Sequence, residues 1–154
     1  MRKIFTILLL SMVVMLSRAQ ITISGSVYGG GNEGKVGGST AVTVYAGDVD
    51  KVFGGARMAD VGGNTFVNID GKNASDSIVI NYVYGGNDIS GVIGDSLAAH
   101  VLPDSLTMPA VNHVDNTWDA FVRISTKTDK TGKEVEDAVK IYIGQLFGGG
   151  NGDY

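Results

Sequence analysis

The chain of 154 residues contains no cysteine and only two prolines. Without cysteine there is no disulfide to stabilise the fold, no thiolate nucleophile, and no attachment point for the lipid anchor of a bacterial lipoprotein. With so little proline, collagen-like structures and proline-rich linkers are excluded as well. The stability of the fold therefore has to come from packing and hydrogen bonding.

Basic residues are also scarce, with 12 Lys and Arg against 16 Asp and Glu. Three of the twelve, Arg2, Lys3 and Arg18, lie before Gln20, so a chain cut after Ala19 would carry a formal charge of −7. An acidic surface repels nucleic acids and anionic membranes. We therefore expect neither as a partner.

The segment from Met1 to Ala19 has the three parts of a secretory signal peptide. The basic start is followed by the apolar run Ile4–Leu16, and Ser17-Arg18-Ala19 then places small residues at the two positions that a signal peptidase reads. In a helix this run spans about 20 Å, which is short of the roughly 30 Å hydrocarbon core of a membrane. We predict cleavage between Ala19 and Gln20, export to the cell surface, the extracellular space or the periplasm, and no membrane span in the mature chain.

Glycine is abundant, with 23 residues, and it recurs in a fixed motif. A valine or leucine and an aromatic residue precede two or three small residues, mostly glycine, at Val27–Asn32, Val52–Ala56, Val83–Asn87 and Leu146–Asn151. The last step is much longer than the first two and must contain an insertion. A second segment, Val36–Gly38, returns at Val61–Gly63 and more weakly at Val92–Gly94, and a third, Ala41–Gly47, returns at Phe66–Gly71. Self-similarity at such spacings is typical of repeat architectures.

The repeats predict an all-β fold, namely a β-solenoid or β-helix-like stack of short strands with Gly-rich turns. Val42 and Val44 alternate with polar residues, which is typical of a strand with one buried face. Glycine suits corners at which coils lie too close for a Cβ atom. One repeat position is aromatic throughout and predicts a ladder of rings in or against the core: Tyr28, Phe53, Tyr84 and Phe147.

A single domain, residues 20–154, contains repeats near residues 27–51, 52–82, 83–94 and 141–154, with an insertion at 95–137. The end of the insertion and the segment after it predict a hairpin of strands 118–124 and 138–143 around the turn Thr128–Lys133. The insertion either carries an interaction site on a rigid frame or covers an edge of the stack. A fourth motif opens close to Tyr154, which predicts an incomplete solenoid and the N-terminal part of a longer chain.

Several motifs suggest chemistry but lack the context that the chemistry needs. Gly29–Lys35 fits a phosphate-binding loop, yet Val36 follows where a Ser or Thr and a helix are required. The irregular sequence between His100 and His113 fixes no metal geometry. Carboxylates could serve a glycan-cleaving enzyme, but four candidates are more simply interpreted as turn residues and strand ends: Asp48, Asp50, Asp60 and Asp70. We assign no catalytic, cofactor or metal residue, and structural calcium stays open because aspartates are numerous.

The Val-Tyr-Gly-Gly-Gly-Asn motif, the Val-Gly-Gly-x-Thr segment and the alternating strand that ends in Gly resemble those of exported glycine-rich repeat proteins of gut and oral Gram-negative bacteria. The resemblance covers residues 25–94 and part of 141–152. It implies a large exported protein, attached to or released from the cell surface, and it supplies no catalytic residue. An Asp-Ser/Thr-aliphatic motif that is O-glycosylated in the same bacteria makes Ser77, Ser96 and Ser105 candidate modification sites, with ordinary turn chemistry as the alternative.

These observations together predict a non-enzymatic exported scaffold, structural or adhesin-like, with an unidentified surface partner or glycan. The alternative is a glycan-binding or glycan-cleaving module of β-helix type. Trp118 is the aromatic residue outside the repeats with the best claim to contact a ligand.

Overall fold

A computed structural model describes residues 20–94 and 120–152 of the chain. These residues form seven β-strands and no helix. The strands are rich in Val, Ile, Thr and aromatic residues, which pack well on a pleated surface. Their bounds are β1 Thr22–Tyr28, β2 Thr40–Val44, β3 Gly47–Phe53, β4 Thr65–Asp70, β5 Ile78–Tyr84, β6 Ala120–Ser125 and β7 Ile141–Phe147.

The strands form two sheets in which every neighbouring pair is parallel. The larger sheet has the order β1-β3-β5-β7 and the smaller sheet the order β2-β4-β6. The chain alternates between the sheets, and between β2 and β3 it needs only Tyr45 and Ala46 before Gly47 turns it with a φ of +103°. The successive pairs β1–β2, β3–β4 and β5–β6 therefore each add one strand to each sheet, and β7 adds a fourth strand to the larger one. We call each such pair, with the turns that follow its strands, a layer, and β7 with its turn the fourth layer.

The register of the larger sheet follows the repeat of the sequence. Val27 pairs with Val52, Val52 with Val83, and Val83 with Leu146. These are the residues with which successive copies of the motif begin. The sequence therefore determined which residues are partners, even across the longest step.

The three copies of the Val-Gly-Gly segment also pair with each other, with one difference from the correspondence that the sequence repeat predicts. Val36 and Val61 form a parallel bridge, as the alignment predicts, but the next bridge joins Val61 to Ile93 and not to Val92. The amide of Val61 donates to the carbonyl of Val92, and the amide of Gly94 donates to the carbonyl of Val61. The weak third copy of this segment is thus shifted by one residue.

The structure contradicts the predicted β-solenoid. The described residues form two separate parallel sheets of four and three strands. The spacing of a repeat fixes the register of paired strands, but it determines neither the number of sheets nor whether they close on each other. The prediction of an incomplete solenoid is replaced by this two-sheet arrangement.

The predicted hairpin of strands 118–124 and 138–143 is also wrong. Ala120–Ser125 pairs with β4 in the smaller sheet, and Ile141–Phe147 pairs with β5 in the larger one, both in parallel. The parallel register places Val122 beside Val67 and Ile143 beside Ile80, so both side chains extend apolar columns of the core. Of the hairpin only the turn exists, closed by an isolated antiparallel bridge between Thr128 and Glu134.

The core lies between the two sheets. In β2 the side chains alternate between buried and exposed, and β4 continues the same buried columns. Burial of each Val or Ile side chain contributes about 1.5–3 kcal/mol. The core consists of Val42, Val44, Val67 and Ile69 from the smaller sheet and Val49, Val52, Ile78, Ile80 and Val83 from the larger one.

The predicted aromatic ladder is confirmed. Tyr28, Phe53, Tyr84 and Phe147 stack in sequence, with ring centroids 5.0, 4.7 and 4.9 Å apart and ring planes within 12° of parallel. A second stack joins Phe66 to Phe121, with centroids 5.0 Å apart, on the smaller sheet. Parallel in-register pairing places identical positions above one another, so one aromatic position in the repeat becomes a continuous column.

Candidate functional site

The candidate site is a shallow cleft at the end of the larger sheet, where the turns of the third and fourth motifs meet. Its volume is about 290 Å³, which is at the lower limit for small-molecule sites. The cleft is lined by Asn87, Asp88, Ile89, Ser90, Gly91, Ile93, Gly150 and Gly152.

Asn87 joins the third layer to the second. Its side chain is 6% exposed. The Oδ1 atom accepts a hydrogen bond from the backbone N–H of Ala56 at 2.8 Å, and the Nδ2 atom donates to the carbonyl of Ala59 at 3.3 Å. The second motif has Ala56 where the others have asparagine or glycine. The side chain of Asn87 therefore bridges the two ends of the preceding turn by hydrogen bonds and holds it in place.

Asp88 joins three layers through its carboxylate. The hydroxyl of Tyr28 donates to Oδ2 at 2.7 Å, and the Nδ2 atom of Asn151 donates to Oδ1 at 3.1 Å. Burial raises the pKa of Tyr28, the hydrogen bond with Ser26 lowers it, and the hydrogen bond to Asp88 and its negative charge raise it further. Tyr28 therefore stays protonated and remains a donor at neutral pH. Since both carboxylate oxygens already accept hydrogen bonds, the group is held in a structural role.

Threonine hydroxyls form a further set of contacts between layers. The Oγ1 atom of Thr40 donates to the carbonyl of Gly54 at 2.6 Å, and that of Thr65 donates to the carbonyl of Gly85 at 2.5 Å. In the third layer Ala120 occupies this position. The Val-Gly-Gly-x-Thr pattern marks these threonines in the sequence. Their hydrogen bonds to the glycine turn of the next layer could not be predicted from it, because they form only when the layers stack.

The four aspartates considered as a carboxylate cluster lie in different places. Asp48 and Asp50 are on β3 in the larger sheet, and Asp50 accepts from the Nδ2 atom of Asn81 at 2.9 Å. Asp60 accepts from the amide of Val92 at 2.9 Å. Asp70 ends β4 in the smaller sheet. The hydrogen bonds of Asp50 and Asp60 connect neighbouring strands and turns of the fold.

Asp70 is the most buried of these carboxylates and closes a turn. Its oxygens accept from the amides of Lys72 and Asn73, from Asn73 Nδ2 at 2.8 Å, and from Ser125 Oγ at 3.2 Å. Burial raises the pKa of Asp70, but the hydrogen bonds from Asn73, Ser125 and Lys72 outweigh it, so the pKa lies below its usual value of 3.8. Asp70 is therefore held ionised at the corner after β4.

The phosphate-loop resemblance of Gly29–Lys35 fails in the structure as well. The amide of Gly29 donates to the carbonyl of Phe53 at 3.0 Å, and that of Gly30 donates to the carbonyl of Gly55 at 2.9 Å. A phosphate-binding loop needs free amides and a helix N-terminus. Here two of these amides are committed to the next layer, and the segment leads into a turn.

The remaining predicted residues divide between the described part of the chain and the part outside it. Gln20 is exposed at the start of the described residues, and Ala19 lies outside them. Ser77 is half-buried before β5, where its amide donates to the carboxylate of Asp76 at 2.7 Å. Ser96, Ser105, Trp118, His100 and His113 lie outside the described residues.

Comparison with known protein families, curated proteins and solved structures gives no match to this chain. Within residues 20–94 and 120–152, no three His, Cys, Asp or Glu side chains are grouped so that they could hold a metal ion. No helix in the same residues is long and apolar enough to cross a membrane.

Proposed function

We propose that this chain is an exported, non-enzymatic repeat scaffold of the cell surface, structural or adhesin-like. The observation that carries the proposal is the use of the repeats for packing between layers. The aromatic ladder, the threonine hydroxyls and Asn87 all connect one layer to the next. Strands held by such repeated contacts form a stiff body.

The segment 95–119 is the part that we propose meets a partner. It is preceded by Gly94, whose amide donates to the carbonyl of Val61 at 2.7 Å, and followed by Ala120, the first residue of β6. A segment attached to a rigid frame at both ends is a common way to present binding residues. Trp118, shortly before β6, is the residue that we propose contacts the ligand.

The proposal is tested by fractionating the producing cells and sequencing the N-terminus of the chain. We expect the chain outside the cytoplasm with Gln20 as its first residue. A Trp118→Ala variant should be exported like the parent and lose attachment to host cells or to neighbouring bacteria. A chain found in the cytoplasm with Met1 intact would contradict the proposal.

A glycan-binding or glycan-cleaving module is the alternative, and the cleft beside Asp88 is the observation in its favour. Its open shape and its polar lining of Asn87, Asp88 and Ser90 suit a carbohydrate. Release of reducing ends from a panel of polysaccharides, lost in Asp88→Asn, would favour this function. We expect no release, because Asp88 already accepts hydrogen bonds from Tyr28 and Asn151.

A further inference from the structure

The two edge strands of the larger sheet, β1 and β7, carry no charged residue. One large apolar side chain is exposed on β1 and three are exposed on β7. Ile23 of β1 is 40% exposed, and Tyr142, Leu146 and Phe147 of β7 are 58%, 46% and 41% exposed. Proteins usually protect an open sheet edge with charges, proline or a covering segment, because it can pair with another strand. The uncharged, partly apolar composition of these two edge strands is typical of strands that are covered by another strand or segment.

The glycines that follow β7 indicate what covers it. At the first glycine of the motif, a Cβ atom on Gly29, Gly54 or Gly85 would collide with the carbonyl oxygen of the corresponding glycine in the next layer. Gly148 occupies the same position in the fourth layer, yet a Cβ atom there would meet no described atom within 4 Å. The same is true of Gly149. The contacts that require glycine in the first three layers therefore lie outside the described chain at the fourth.

The backbone hydrogen bonds of these glycines also repeat in the first three layers and lack a described partner in the fourth. The amides of Gly29, Gly54 and Gly85 donate to the aromatic carbonyl of the next layer at 3.0, 2.9 and 2.9 Å. For Gly148 no acceptor is present among residues 20–94 and 120–152. At the opposite edge Tyr28 lies in the first strand of the sheet, so no described strand precedes it to donate to its carbonyl. One edge thus offers the donor and the other edge the acceptor.

We propose that β7 of one copy of this chain pairs in parallel with β1 of a second copy. The amide of Gly148 donates to the carbonyl of the second copy's Tyr28, whose ring extends the ladder beyond Phe147. The carbonyl of the second copy's Gly29 then lies where a Cβ atom on residue 148 would be. Neither strand carries a charged side chain, so pairing them brings no two like charges of these strands together.

The proposed contact is head-to-tail, so it generates a filament or ring and not a closed dimer. The smaller sheet has one strand fewer than the larger sheet. The contact is therefore made by the larger sheet and the glycine turns, and the second copy's β2 lies one layer further from β6. The inference stands on the edge strands and needs neither export nor a partner of residues 95–119.

The first test is sedimentation velocity of the full chain and of Gly148→Val. We expect the parent to form multimers and Gly148→Val to associate more than about 100-fold more weakly, because its side chain occupies the position of the incoming carbonyl. The variant should keep the unfolding midpoint of the parent, because nothing described surrounds this Cβ position. Thr43→Val is the control, since it alters an exposed side chain on β2, which the contact does not include, and it should associate like the parent.

The second test separates head-to-tail pairing from pairing of two β7 strands. Ile23→Lys blocks the β1 edge, and Gly148→Val blocks the β7 edge. We expect each variant alone to be monomeric and an equal mixture to form a dimer with one copy of each, seen by native mass spectrometry. Three results would overturn the proposal: a parent chain that stays monomeric up to about 1 mM, a Gly148→Val variant that associates like the parent, and an Ile23→Lys variant that dimerises alone.

Discussion

At the residue scale, the structure depends on small groups that reach from one layer into the next. Thr65 is fully buried, and its hydroxyl donates to the carbonyl of Gly85. Thr40 makes the same contact one layer earlier, and Ala120 cannot make it one layer later. The same position thus occurs with and without its hydrogen bond in one chain.

We expect Thr65→Val to lower the free energy of unfolding by about 1–3 kcal/mol, because it keeps the shape of the side chain and leaves a buried carbonyl unpaired. Ala120→Thr should raise it by about 0.5–1.5 kcal/mol through the missing hydrogen bond to Gly148. Urea unfolding measures both changes. Thr43→Val, on the exposed face of β2, is the matched control and should change stability by less than about 0.5 kcal/mol. Equal effects at positions 43 and 65 would show that the interlayer hydrogen bond is unimportant.

At the element scale, the corner after β4 makes stability depend on pH. The pKa of Asp70 is lower in the folded chain than its usual value of 3.8, so ionised Asp70 favours the folded state. This contribution is present above about pH 3.8 and is lost as the pH falls through the lower folded value. We expect Asp70→Asn to be less stable than the parent at pH 7, and the difference to shrink as the solution is acidified below pH 3.8. Thermal unfolding from pH 7 to pH 2 tests this.

Ser125→Ala provides the comparison for Asp70→Asn, because it removes one hydrogen bond to the carboxylate and leaves the charge in place. It should lower the stability at pH 7 by less than Asp70→Asn does. A difference for Asp70→Asn that stays constant throughout the acid range would show that the hydrogen bonds to Asp70 do not depend on its charge.

The elements also show where prediction from sequence succeeds and where it fails. The register of β1, β3, β5 and β7 and their aromatic ladder were readable, because a repeated motif stacks on itself. The hairpin was wrong because a turn near Thr128 favours pairing of neighbouring segments, whereas β6 finds its partner in β4, far back along the chain. The partly buried side chain of Val122 packs against the shared core, which favours β4 as the partner of β6. The contacts of Asn87 and Asp88 depend on the stacking of layers and not on local sequence.

At the scale of the whole molecule, stability is distributed unevenly among the layers. The strands β3, β4 and β5 each have a neighbour on both sides, whereas β1 and β7 end the larger sheet and β2 and β6 end the smaller one. We expect amide hydrogen exchange to be slowest in β3–β5 and fastest in β1 and β7, because exposed edges open most easily. The measurement is native-state exchange with the Gly148→Val variant, which keeps the edges free. Uniform protection of all seven strands would indicate that the sheets open as one unit.

The long step between β5 and β7 has a consequence for the length of the chain. Closing a loop costs entropy that grows only with the logarithm of its length, so the step from Val83 to Leu146 costs less than about 1 kcal/mol more than the step from Val27 to Val52. The larger sheet keeps its register over both. The exposed turn Thr128–Lys133 lies within this step and can therefore receive a foreign domain as a graft at little thermodynamic cost, which makes it the natural place to attach a cargo to this protein.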